Sequence, residues 1–158
     1  MATAYDMIED GIQSALEAEG SLFNKVLTHG ACMSDDEVAI ALERLAPEAP
    51  VALVFYAGGT TNNGENGELV ENATFAVVVL AAGSTVAAAS RGDKARAGVY
   101  QLMQHVRERL HNVPEIEGII NPLTLSANRR FRLPDRSMTV AAWMCEFSGR
   151  VLFADGPT

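Results

Sequence analysis

Residues 51–82 read VALVFYAGGTTNNGENGELVENATFAVVVLAA, two apolar runs on either side of a stretch rich in glycine and asparagine. The runs VALVFYA and ATFAVVVLAA are dense in Val, Ala and Phe without polar alternation, which predicts strands buried on both faces. What lies between them decides between a phosphate cradle and a hairpin. Gly59 and Gly64 have the G-x-x-x-x-G spacing of a phosphate loop, but Glu65 and Asn66 follow where that loop needs Lys and then Ser or Thr. A carboxylate there repels phosphate, and a strand follows instead of a helix whose amides would face the anion. A calcium loop fails too. With Gly67 as its turn glycine, Ala73 stands where the bidentate Glu belongs. Asn63-Gly64 and Asn66-Gly67 are turn formers, so the stretch reads as a hairpin. Its connection, Gly58 to Asn72, spans 15 residues, and loops of that length usually carry function. Asn62, Asn63, Glu65 and Asn66 are therefore candidate contact residues on an arm free to reach a neighbouring molecule.

Outward from this hairpin the pattern alternates between helix and strand. In AYDMIEDGIQSALEA (4–18), Tyr5, Ile8, Ile12, Ala15 and Leu16 fall on one stripe at helical spacing. SLFNKVLTHG (21–30) alternates and predicts a short edge strand. SDDEVAIALERLAP (34–47) opens with Ser34 and Glu37 as a capping box, buries Val38, Ala41, Leu42 and Leu45, and stops at Pro47. SRGDKARAGVYQLMQHVRERLHN (90–112) predicts the longest helix, started by Ser90 and Asp93, with Ala95, Val99, Leu102, Met103, Val106 and Leu110 inward. Its Arg107, Arg109 and His111 suit the negative C-terminal end. In the last third, Leu123, Leu125 and Ala127 alternate, as do residues 139–147, with PDRS (134–137) as turn chemistry between them. Two hairpins and few crossovers give an α+β fold: a mostly antiparallel sheet of about four to five strands with helices packed on it. No repeat or linker divides residues 1–158, which read as a single domain. The tail, 149–158, shows no pairing signal and reads as a possible flexible C-terminal arm.

Composition limits the functions available. The chain has 158 residues, 48% of them apolar, and a formal charge of −8. That charge is lopsided: residues 1–80 hold 13 acids and two bases, residues 81–158 seven acids and ten bases. So acidic a chain lacks the broad basic footprint of a nucleic-acid binder. Its acidic and basic halves could instead pair between subunits, since complementary potentials set orientation and partner choice. MATAYDMIED has neither the basic nor the apolar region of a signal peptide, and no apolar run nears the roughly 20 residues that span a bilayer. Two cysteines 113 positions apart make no disulfide framework, and the simplest reading is a reduced, cytoplasmic protein.

Catalytic chemistry is sparse. His29 and Cys32 form a lone H-x-x-C that Cys145 could join in space, short of the four paired ligands of a structural zinc site. Cys145, in an alternating apolar strand, reads as a small buried hydrophobe. His105 and His111 fall on the polar side and at the end of the long helix, where solvated or capping roles are the common ones. No nucleophile-elbow or zinc-protease motif occurs, so no catalytic, metal or cofactor residue is assigned. Two basic clusters remain: Arg91, Lys94 and Arg96, and then Arg129, Arg130, Arg132 and Arg136, with Phe131 among the second set. Arginine is favoured at protein interfaces, and against the acidic half these clusters read as protein-contact candidates.

Taken in order, MIEDGIQSALEA (7–18), LAPEAPVALVFYAGG (45–59), ATFAVVVLAA (73–82) and RGDKARAGVYQLMQHVRERLHN (91–112) resemble the Mu-like prophage tail proteins. These are tail-terminator or tail-completion proteins of contractile-tailed phages. The resemblance covers residues 5–148, including the late strand AAWMCEF (141–147). It implies a tail-terminator-like α+β subunit that forms a homo-oligomeric ring, commonly a hexamer. Such a ring caps the head-proximal end of the tail tube, stops its polymerisation and offers a surface to the head–tail connector proteins. The implied partners are tail tube and sheath proteins, with genomic DNA passing through without sequence recognition and no membrane. The implied setting is the virion tail or neck, assembled in the host cytoplasm. No cofactor is implied and no catalytic residue is carried over. A connector or neck adaptor, or a small metal- or thiol-dependent enzyme using His29, Cys32 and Cys145, are the competing expectations.

Overall fold

A computed structural model describes residues 3–28, 34–64, 67–94, 96–113, 116–133 and 139–153. The elements run α1 (Ala4–Glu17), β1 (Lys25–Thr28), α2 (Asp35–Leu45), β2 (Val51–Asn63), β3 (Leu69–Gly83), α3 (Val86–Arg91), α4 (Val99–Leu110), β4 (Thr124–Arg130) and β5 (Thr139–Phe153). The strands form one open sheet in the order β1-β2-β3-β5-β4. β1 lies parallel to β2 and every other pairing is antiparallel, so the sheet is mixed but mostly antiparallel.

The apolar runs sit where their composition requires. In β3, Phe75 through Ala81 are fully buried. Phe75, Val77, Val79 and Ala81 pack into one core with Ile8, Ile12 and Leu16 of α1 and Leu102, Val106 and Leu110 of α4. The alternate residues Ala76, Val78 and Leu80 face a second core built with Val38, Leu42 and Leu45 of α2. Period-two side chains on a strand covered from both sides leave no polar position, hence the unbroken apolar run. Each helix contributes through its stripe, and fully burying one Leu or Ile is worth about 1.5–3 kcal/mol.

The helix starts are chemically specified. Thr3 caps α1, its Oγ1 accepting from the Asp6 N–H at 3.2 Å while its own N–H donates to Asp6 Oδ2 at 2.7 Å. At α2, Ser34 Oγ accepts from the Glu37 N–H at 3.2 Å. The expected stripe of α1 is present, as are the short edge strand β1 and the C-terminal hairpin strands β4 and β5.

Three expectations are corrected. The connection expected from Gly58 to Asn72 is mostly strand: β2 runs on to Asn63, β3 begins at Leu69, and the two pair rung by rung from Gly58↔Thr74 to Asn63↔Leu69. Only 64–68 connects them, with the Gly64 N–H donating to the Glu68 carbonyl at 2.6 Å. The tail expected to be free from residue 149 is strand as far as Phe153, and Gly149–Phe153 pairs with Leu69–Ala73. These two corrections share one cause. β5 gives the polar half of β3 a second neighbour, and a three-stranded ribbon orders residues that a lone hairpin would leave loose. Thirdly, the long helix is two: α3 ends before Gly92 (φ +85°), and α4 starts after Gly98. α1, at 14 residues, is longer than either.

Candidate assembly interface

The basic clusters lie in different places. Arg91 ends α3, and Lys94 and Arg96 stand exposed in the loop before α4. That loop is braced internally: Asp93 Oδ1 accepts from the Arg96 N–H at 2.9 Å, and Gln101 Oε1 accepts from the Gly98 N–H at 2.8 Å. Lys94 and Arg96 border a cleft of about 440 Å³ with Leu22, Gln104, His105 and Glu108. Arg96 also reaches the region of Asn24, Pro50 and Ala82, where β1, β2 and β3 meet the loops.

The second cluster occupies the outer strand β4, where the structure separates its members. Arg129 pairs across the sheet with Met144, on the face covered by α2, and lies 3.6 Å from Asp35 and 3.5 Å from Glu146. It is therefore engaged within its own chain. Arg130 pairs with Trp143 and so points to the opposite face, with Asn128. Arg130 and Arg132 are exposed and have no ion-pair partner among the described residues. Arg136 lies outside the described residues, as do Glu65 and Asn66. Asn62 and Asn63 are exposed at the end of β2.

Two further surfaces frame the sheet edges. At the β1 edge, Leu27, Leu53, Ile40 and Leu45 line an apolar groove of about 400 Å³, with Glu37 and Arg44 exposed beside it. Ile40 is 52% exposed. At the β4 edge, on the opposite face, Tyr100, Met103 and Arg107 of α4 meet Leu125 and Asn128 of β4 around a smaller cleft of about 280 Å³. Tyr100 is 54% exposed, an aromatic ring presented to solvent.

The titratable groups that the structure buries are mostly not those singled out by sequence. Glu71, 2% exposed, accepts from both the Tyr5 and Tyr56 phenols. Glu9, 7% exposed, accepts from the Tyr56 N–H at 3.0 Å, an amide freed by the bulge between Tyr56 and Gly58. Burial raises the Glu9 carboxyl above its ordinary value, against the Tyr56 hydrogen bond that lowers it. One signal for Glu71 existed: it shares strand phase with Ala73, Phe75 and Val77, an acid in an apolar column. His105, expected on the polar side of its helix, is buried; its Nε2 accepts from the Leu22 N–H at 3.4 Å, and burial, then Arg109, lower its pKa. His111 ends α4, and its Nδ1 accepts from the Leu125 N–H at 3.0 Å, tying α4 to β4. The Cys145 thiol is buried and pushed up to about 12, which removes it as a nucleophile near neutral pH. His29 and Cys32 lie outside the described residues. Among the described residues no group of three or more His, Cys, Asp or Glu is placed to hold a metal. No described helix is long and apolar enough to cross a membrane.

Fold and surface together define a small α+β protein on one open mixed sheet, with an apolar groove beside one outer strand and exposed arginine and tyrosine side chains beside the other. The chain belongs to the family described as Bacteriophage Mu, Gp37, whose model matches residues 5–152, from α1 almost to the end of β5. This places it among phage structural, tail-related proteins. No curated protein matches it.

Proposed function

We propose that this protein is a tail terminator: a ring of identical subunits that caps the head-proximal end of the tail tube, stops tube growth and presents a docking surface to the head–tail connector. The observation that carries the reading is family membership over residues 5–152, which spans every strand of the sheet and all four helices. A ring needs a heterologous contact, one face of a subunit against a different face of the next. The two ends of this sheet differ in this way, with a groove at β1 and cations and an aromatic at β4. The role is structural, the ring is a hexamer, and its partners are the tail tube and sheath proteins and the connector. Genomic DNA crosses the ring without sequence-specific contact, and the acids of residues 1–80 that face the lumen keep it from adhering. Arg91, Lys94, Arg96, Arg130 and Arg132, with Asn62 and Asn63, are the surface groups available for these contacts.

The test is tail length. Phage lysates lacking this protein should contain tubes of irregular length without heads, and supplying the protein should restore uniform, head-bearing tails. Purified protein added to growing tubes should arrest elongation and be found at one tip by labelled electron microscopy. Tails of normal length that fail only to join heads would identify a connector instead.

A further inference from the structure

We propose that the apolar groove at the β1 edge is the receptor for the α4–β4 corner of a second copy of this chain, with Tyr100 as the inserted side chain; this rests on the ring reading above. The groove offers Leu27, Leu53, Ile40 and Leu45, and Ile40 stands 52% exposed on a helix whose Val38, Ala39, Leu42 and Leu45 are buried. The corner offers Tyr100, 54% exposed, beside Met103 and Leu125. An aromatic flanked by arginine, meeting a desolvated apolar pocket, is the usual composition of an interface centre.

Placement supports a second copy as the occupant. Leu27 is on β1 and Leu125 on β4, the two outer strands of the sheet. They also lie on different faces: Leu27 packs with the core under α2, Leu125 with the core under α4. One copy can thus lay the α4 face of its β4 edge over the α2 face of its neighbour's β1 edge, both sheets keeping the same orientation, as tiles overlap. Each joined pair retains one free groove and one free corner, the condition for a closed ring rather than a dimer. On balance, charge favours this pairing. Asp36 and Glu37 are exposed at the start of α2 beside the groove, against a single Arg44 near the end of that helix, whereas Arg107 lines the corner and Arg130 shares its face. None of Asp36, Glu37, Arg107 and Arg130 has an ion-pair partner among the described residues.

The experiment uses two full-length variants, Ile40→Asp in the groove and Tyr100→Asp on the corner. Both positions are exposed, and circular dichroism should show wild-type folding for each. By native mass spectrometry the wild type should form multimers, and each variant alone should lose them and run as a monomer. Mixed together, the two should form a one-to-one heterodimer and nothing larger, because only one intact groove and one intact corner remain between them. Wild-type multimers in both variants would overturn the groove while leaving the ring intact. Homodimers of a single variant would overturn the head-to-tail geometry. A wild type that stays monomeric both in solution and at tube tips would remove the ring reading, and this inference with it.

Discussion

Glu71 shows how far the fold goes to accommodate one side chain. A carboxylate at 2% exposure needs donors, and Tyr5 from α1 and Tyr56 from β2 both supply phenol hydrogens. Burial, then the Glu71 hydrogen bond, pushes the Tyr5 phenol up to about 12, and the same causes raise Tyr56 further, so both remain donors at neutral pH. Gly59 completes the arrangement, because a Cβ there would meet the Glu71 carboxylate. Glu71→Ala removes the buried acceptor that the two phenols share and should cost roughly 2–4 kcal/mol, read as a lower urea midpoint, with Tyr56→Phe costing about half as much. Glu9 makes a second, pH-dependent prediction. Its pKa in the folded chain is raised from the ordinary 4.5 by burial, so between 4.5 and the folded value the native state holds a proton that the unfolded chain has released. That contribution is complete below 4.5 and is lost as pH rises through the folded value. Glu9→Gln keeps an acceptor for Tyr56 and cannot ionise, so its stability relative to wild type should climb across that window and then level off. Urea midpoints at a series of pH values would show this. A difference independent of pH would rule the titration out.

Among the elements, those legible in the sequence have a strong period or an unbroken apolar run. Ile8, Ile12 and Leu16 mark α1, Val38 and Leu42 mark α2, and the runs at 51–57 and 73–82 mark the buried halves of β2 and β3. The missed pieces were decided by partners distant in the chain. Thr60–Asn63 carries turn formers and no apolar alternation, and it is strand because Leu69–Asn72, held from the far side by β5, pairs with it. The break between α3 and α4 was visible only as two glycines, whose meaning depends on what they touch. A Cβ on Gly98 would meet the Arg91 carbonyl carbon at 2.5 Å and the Ser90 carbonyl oxygen at 2.6 Å, so the start of α4 is pressed against the end of α3. Gly98→Ala should therefore destabilise by about 1–3 kcal/mol, the range for overpacking, and Ala is also a poorer residue than Gly at the N-cap position that Gly98 holds. A thermal melt checks this, and a variant melting at or above the wild type would mean the two helices can part without cost. The candidate contact residues were legible as residue types but not as a surface. Arg129 and Arg130 are adjacent in sequence yet point to opposite faces, and only the β4–β5 register shows that Asp35 and Glu146 engage the first alone.

At the scale of the molecule, the sheet has a thick part and a thin part. Where helices cover both faces, β3 lies between two cores; beyond Phe75, the ribbon of β2, β3 and β5 continues with α1 reaching it through Tyr5. The last strand is what makes that extension stable. Val151 is fully buried, the Phe153 ring lies 5.9 Å from that of Tyr5, and five rungs join Gly149–Phe153 to Leu69–Ala73. Cutting the chain after Ser148 removes one buried Val, worth about 1.5–3 kcal/mol, an aromatic contact and the outer ladder of the Glu71 segment. The combined loss should reach at least about 4 kcal/mol, a large share of the roughly 5–15 kcal/mol that holds an ordinary domain together. Cutting after Phe153 leaves every one of these rungs in place and is the matched control. Urea denaturation followed by the fluorescence of Trp143, in the half of β5 that both truncations keep, should show a near-wild-type midpoint for the longer chain. The shorter chain should be unfolded or marginal. Equal midpoints for the two would mean that 149–153 contributes nothing to the folded chain and that the ribbon stands on β2 and β3 alone.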